Sequence, residues 1–221
     1  MTIHPPPAPQ RALTDAFFLT WKDDDDTTWR RAYFLTTDGY VSYADLSTDG
    51  TWESQGRPLP IAKFWTTYPQ LGTTPAAAAV VVNGLPWFIT PDHQVLKPHE
   101  NATAADWDTK KPTTTTLTDL FFPPTPECAV TTACVELSTG GKAVVFNRDY
   151  YTLANLQTST DPSPDPQKLG FTAAAALLVH LGPEEATFLL DGTTWRHTTP
   201  NLHIDPKTGG ADWSKFSLDP A

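Results

Sequence analysis

The sequence predicts an all-β fold made of about four similar units, and three observations carry that prediction. Aromatic and β-branched residues are frequent, with Phe, Trp and Tyr making up 11% of the chain, which favours strands over helices. The 22 prolines outnumber the 12 glycines and are spread along the 221 residues, which cuts any long helix and suits short strands joined by shaped loops. A hairpin signal also recurs. It is clearest at Tyr33-Phe34-Leu35-Thr36-Thr37-Asp38-Gly39-Tyr40-Val41-Ser42-Tyr43, where two strand-like runs flank an Asp-Gly pair. Echoes follow around Asp92, Asp149 and Asp191, each with a Phe three or four residues before the turn aspartate. Successive turn aspartates lie 54, 57 and 42 residues apart, a mean of 51, and repeats of this length mark solenoids, propellers or arrays.

Taken in order, residues 1–12 form a Pro-rich lead-in, predicted to be extended and mobile with no core of its own. The run from Asp15 to Trp21 reads as a strand. Asp23 to Asp26 reads as a solvated hairpin tip, because calcium loops space their carboxylates so that the chain can wrap the ion, and these four are adjacent. Asp49-Gly50-Thr51-Trp52 adds a turn and a short strand, and Pro58 to Leu71 forms a link with a helical turn around Phe64 and Trp65. In Pro75-Ala76-Ala77-Ala78-Ala79-Val80-Val81-Val82 the alanines favour a helix, whereas the valine triplet and the short distance to Gly84 favour a buried strand. The same pattern recurs at 131–137 and 172–179.

Each unit therefore reads as a small-residue strand, an aromatic hairpin, an outer strand often marked by Trp (Trp52, Trp107, Trp213), and a Pro-rich connection. That is the order of strands in a propeller blade. The expected architecture is a single four-bladed β-propeller over residues 13–221, with blades at about 13–72, 73–127, 128–170 and 171–221. Ala16, Ala77, Ala133 and Ala175 would let four strands crowd the axis.

Asp15-Ala16, followed by Ala32-Tyr33-Phe34-Leu35 with Tyr40 and Tyr43, and then Pro58-Leu59-Pro60-Ile61-Ala62-Lys63-Phe64-Trp65 as an inter-blade link, resembles the hemopexin-like repeat. The resemblance implies a four-bladed propeller. It also implies an axial cation, calcium or sodium, held by backbone carbonyls at the strand starts, which are Asp15, Ala76 or Ala77, Thr132 and Ala174. Animal members of that family tie blade one to blade four with a disulfide. No cysteine lies near either end here, so closure falls to packing, strand exchange or hydrogen bonds. The compact, cysteine-poor form is more similar to the plant seed-albumin branch, which implies haem or polyamine binding. For haem, His93 at a turn and His180 at the end of an inner strand are the axial-ligand candidates.

The formal net charge of −10 makes nucleic acid and anionic membrane surfaces poor partners. Cys128 and Cys134 could close a small loop but read as free thiols. The N-terminus shows neither a basic nor an apolar leader region, so the expectation is a cytoplasmic protein. No nucleophile motif, phosphate loop, dinucleotide fingerprint or zinc spacing is present among the six histidines and two cysteines. Glu184-Glu185 are paired only in sequence, since adjacent strand residues face opposite ways. What remains is aromatic surface: tryptophans such as Trp21, Trp29, Trp65, Trp87, Trp107 and Trp195 that stay exposed at a blade rim would stack on sugars, cations or flat ligands.

The reading is a non-catalytic small-molecule-binding protein with haem, a polyamine or a saccharide at the channel mouth, and it leans away from an enzyme. Two alternatives stand beside it. One is a cyclase or pericyclase of secondary metabolism that works by positioning in an apolar cavity; the other is a protein-interaction scaffold.

Overall fold

The computed structural model describes residues 2–116, 121–122, 133–137, 142–147, 150–156, 167–199 and 217–219. The chain is all-β, with antiparallel sheets whose strands follow one another in sequence order. Sheet 1 holds β1 (Leu13–Lys22), β2 (Thr28–Thr36), β3 (Tyr40–Leu46) and β4 (Trp52–Pro60). Two short helical turns, α1 (Ile61–Phe64) and α2 (Gln70–Thr73), lead to sheet 2: β5 (Ala78–Val82), β6 (Leu85–Ile89), β7 (Gln94–Lys97) and β8 (Thr113–Thr116). Sheet 3 holds β10 (Ala133–Leu137), β11 (Lys142–Asn147), β12 (Tyr150–Leu156) and β13 (Gln167–Lys168), with β9 (Phe121–Phe122) also paired to β12. Sheet 4 holds β14 (Ala173–Leu181), β15 (Glu184–Asp191), β16 (Thr194–Thr199) and β17 (Ser217–Asp219).

The alanine-rich tracts are strands, and they are the first strand of their sheets. Ala78, Ala79, Ala173, Ala175 and Ala176 are fully buried, so burial on both faces overrides the helical preference of alanine. The first strands also pack on one another in a closed circuit, β1 beside β5, β5 beside β10, β10 beside β14, and β14 beside β1. Small side chains are what allow that approach.

Sheet 1 lies between two cores. Ala16, Phe18, Ala32 and Phe34 face sheet 4, where they meet Leu177, Val179, Phe188 and Trp195. Phe17, Leu19, Tyr33 and Leu35 face sheet 2, where they meet Trp65, Tyr68, Phe88 and Trp107. Both sets alternate along the same strands, which is why β1 reads as a continuous apolar run.

Two expectations give way. Trp107 is not part of an outer strand: the outer strand of sheet 2 is the threonine run Thr113–Thr116, and Trp107 drops from the preceding turn into the core, 2% exposed. The N-terminal lead-in is extended but not loose. Ile3 is buried, the amide of His4 donates to Gly50, and the indole N–H groups of Trp52 and Trp195 donate to the carbonyls of His4 and Pro7. Thr132, Cys128, Asp149 and Trp213 lie outside the described residues.

Candidate ligand-binding site

Two places in the fold hold side chains that the sheet packing does not account for. The first is the meeting point of the first strands. Asp15 is fully buried, and its carboxylate accepts from the amides of Ala16 (2.8 Å) and Ala176 (2.9 Å) at Oδ1 and of Ala79 (2.7 Å) at Oδ2. One side chain thus ties β1 to β5 and to β14. Removing a carboxylate from water is costly, and three amide donors replace the hydration it loses. Ala16, Ala79 and Ala176 carry only a methyl group, so their backbones can reach it.

Asp15 is therefore engaged through its side chain, and its two carboxylate oxygens point at N–H groups. Ala77 donates its amide to Ile89, and Ala174, partly buried, is the second residue of β14. Among the described residues no cluster of three His, Cys, Asp or Glu could hold a metal ion.

His93 sits exposed in the β6–β7 turn with a positive φ of 63°. That turn is at the same end of the sheets as the strand starts, because β5 begins beside Ile89 and Asp15 draws the starts of β1, β5 and β14 together. His180 is exposed at the opposite end of β14, with Nδ1 3.7 Å from the Glu185 carboxylate. The two histidines are not brought together.

The second place is an aromatic platform at the far end of β1. Of the tryptophans named above, Trp65, Trp107 and Trp195 are buried in the cores, and Lys97 covers the ring of Trp87 at 4.5 Å. Trp21 and Trp29 are cross-strand partners at the β1–β2 tip, stacked with ring centroids 6.3 Å apart and planes within 18°, and Trp29 is 36% exposed. Strand pairing at this register puts both rings on one face of the sheet, where they stack.

The platform is held in place. The Trp29 indole donates to Asp23 at 2.8 Å, and the amides of Asp25 and Thr27 also bind that carboxylate. The indole bond first, then the Thr27 amide, holds Asp23 below the ordinary carboxylate range. Arg31 forms a two-pronged ion pair with Asp45 (2.6 and 3.0 Å) and stands 5.6 and 5.7 Å from the Trp21 and Trp29 rings and 4.1 Å from Tyr43. Asp24 and Asp25 are exposed at the tip beside it. The acidic run was legible as a hairpin tip, but its work of fixing an indole was not, since that depends on the Trp21 to Trp29 register.

A shallow cleft beside the N-terminal segment, lined by Pro7, Pro9, Phe34 and Ser42 among others, has a volume of about 50 Å³. That is far below the roughly 300 Å³ from which drug-sized ligand sites begin.

Inside the sheet 1–sheet 2 core, burial pushes the Tyr33 hydroxyl up to about 12 and moves Tyr68 in the same direction, and the Asp108 carboxylate adds to both. Burial likewise raises Asp108, helped by nearby Asp106. A raised carboxyl means that its contribution to stability is full below the ordinary value of about 3.9 and is lost as pH rises through the folded-state value. Asp108→Asn is therefore expected to raise the melting temperature at neutral pH and to leave it unchanged at about pH 3, a comparison that calorimetry at the two pH values checks.

The fold is one shared with plant seed albumins and lectins. Similar solved structures include a hemopexin fold protein from cow pea (TM-score 0.64, 9% identity, covering 95% of this chain and 92% of that one). They also include a plant albumin from Cicer arietinum showing hemagglutination (TM-score 0.64, 11% identity, covering 95% and 91%) and a plant lectin with two metal binding sites from Cicer arietinum (TM-score 0.62, 12% identity, covering 92% and 94%). No family model and no curated protein sequence matches the chain.

Proposed function

We propose that this chain is a non-catalytic, hemopexin-like four-bladed propeller that binds a saccharide on the Trp21–Trp29 platform. The observation that carries the proposal is the exposure of Trp29 despite its being stacked, hydrogen-bonded and flanked by an ion-paired arginine. An indole fixed in place at the surface loses little entropy when a ligand settles on it, and its flat face suits the C–H face of a sugar ring. Carboxylates of Asp24 and Asp25 at the edge would accept from hydroxyl groups. Hemagglutination and lectin character in proteins of the same fold agree with this ligand class.

A polyamine is the second reading, favoured by the acidic tip beside the indole and the net charge of −10. Haem would use His93 or His180, but not both, since they stand at opposite ends of the sheets. An axial calcium or sodium ion would rest on main-chain carbonyls of the strand starts, because the Asp15 oxygens face amide donors.

The test is a glycan-panel screen followed by calorimetric titration of the wild type and Trp29→Ala. We expect a saccharide ligand whose affinity falls about 30-fold in the variant, the roughly 2 kcal/mol of a central aromatic anchor, with unchanged circular dichroism. Spermine binding with no glycan hit would replace saccharide by polyamine, and equal affinity in the variant would remove the platform as the site.

A further inference from the structure

We propose that the groove between sheet 1 and sheet 4 is a receptor for a proline-rich peptide in the polyproline-II conformation, occupied in cis by residues 4–9 of this chain. Prolines 5, 6, 7 and 9 fix their own φ, and each residue that precedes a proline is pushed to extended conformations, so this segment is a polyproline-II helix by its covalent chemistry. Such a helix has three residues per turn, which places the carbonyls of His4 and Pro7 on one face about 9 Å apart. Those are the two carbonyls that the groove reads, each with an indole N–H: Trp52 from sheet 1 at 2.8 Å and Trp195 from sheet 4 at 3.1 Å. Neither sheet alone supplies the pair.

The walls suit the same ligand. Phe18 lies edge-on to Trp52 at 6.1 Å, and Phe34 meets Trp195 at 6.0 Å, so the groove has aromatic walls, and Pro6 of the segment is buried. Aromatic slots with indole donors are how proline-rich segments are bound, since the ligand is already stiff and its carbonyls carry the recognition. Direction is set farther along. Arg11 pairs with Asp38 and lies 4.1 Å over the Tyr40 ring, so the groove selects the pattern Pro-x-x-Pro-x-Arg of Pro6, Pro9 and Arg11.

The tethered segment competes at the millimolar effective concentration of a short linker, so a free peptide enters when the tether is weakened. Ile3, buried in the core beyond the prolines, is the anchor, and Gly50 is the second hold: a Cβ there would stand 2.4 Å from the Thr2 carbonyl oxygen. A labelled peptide with the sequence of residues 2–12 is titrated by fluorescence anisotropy into full-length wild type, Ile3→Ser and, as a release from a different point, Gly50→Ala. Saturable binding is expected in the released variants, about tenfold weaker in wild type, and lost in large part when the peptide carries glutamate in place of Arg11. Trp195→Phe in the Ile3→Ser background, which keeps a ring and removes the donor, is expected to weaken binding about fivefold. The proposal is overturned if a released variant that circular dichroism shows to be folded binds no peptide, or binds a proline-scrambled peptide equally well.

Discussion

Asp15→Ala is expected to lower stability by about 4 kcal/mol, the largest effect of any single substitution considered for this chain, because it strips three buried amides of one acceptor. Each buried donor left alone costs on the order of 1–3 kcal/mol, and a water entering the space left by the carboxylate would satisfy the three amides only in part. For a chain of this length, the loss corresponds to a fall in melting temperature of roughly 10 °C. Asp15→Asn separates charge from geometry. Its amide nitrogen would meet an N–H where Oδ2 or Oδ1 now accepts, so it should recover only part of the loss. Thermal unfolding of the three proteins side by side checks the order wild type, Asn, Ala, and an alanine variant as stable as wild type would show that the amides find other partners.

Trp107→Ala is expected to cost about 3–4 kcal/mol and to loosen the segment that carries it. Trp107 is 2% exposed and meets Trp65 at 4.9 Å, Tyr68 at 5.3 Å, Phe88 at 5.7 Å and Phe17 at 6.0 Å, so its removal opens a cavity in the centre of the sheet 1–sheet 2 core. The cost falls short of the full 5 kcal/mol that a Trp truncation can reach, because the Trp65 Nε1 and the Tyr68 hydroxyl are buried with no hydrogen-bond partner among the described residues and would bind water admitted to the space. Chemical denaturation measures the first effect. Faster proteolysis within residues 98–112 measures the second, since the turn from His99 to Thr109 is otherwise held by its own hydrogen bonds and by the Thr67 hydroxyl, which donates to the Asp108 carbonyl.

Much of the fold was legible because it is local. Asp38-Gly39, Asp92 and Asp191 mark turns between the second and third strands of their sheets, and the alanine tracts begin their sheets as expected from the brevity between Pro75 and Gly84. What was not legible depends on distant partners. The threonines of β8 carry no alternation that separates them from a loop, so in the sequence the nearest tryptophan reads as the strand marker. The Pro-rich start gave no sign of being held, because its partners Trp52 and Trp195 are 48 and 188 residues away from the carbonyls they bind. The sequence points to the carbonyl of Asp15, whereas in the structure it is the carboxylate that joins three first-strand amides. A dipeptide Asp-Ala does not reveal which amides lie within reach.

The aromatic platform was half legible. Trp21 and Trp29 stood out as possible stacking surfaces, and the pairing register decides which tryptophans keep an open face. The corresponding tips of sheets 2 and 4 pair Val82 with Leu85 and Leu181 with Glu184, so among the described residues the indole pair occurs once.

The bond from Asp15 to Ala176 spans 161 residues, and that from Trp195 to Pro7 spans 188. During vectorial synthesis the first sheet thus emerges with its central carboxylate and its leading segment waiting for donors that lie 161 and 188 residues farther along the chain, so neither bond can form until those residues have left the ribosome.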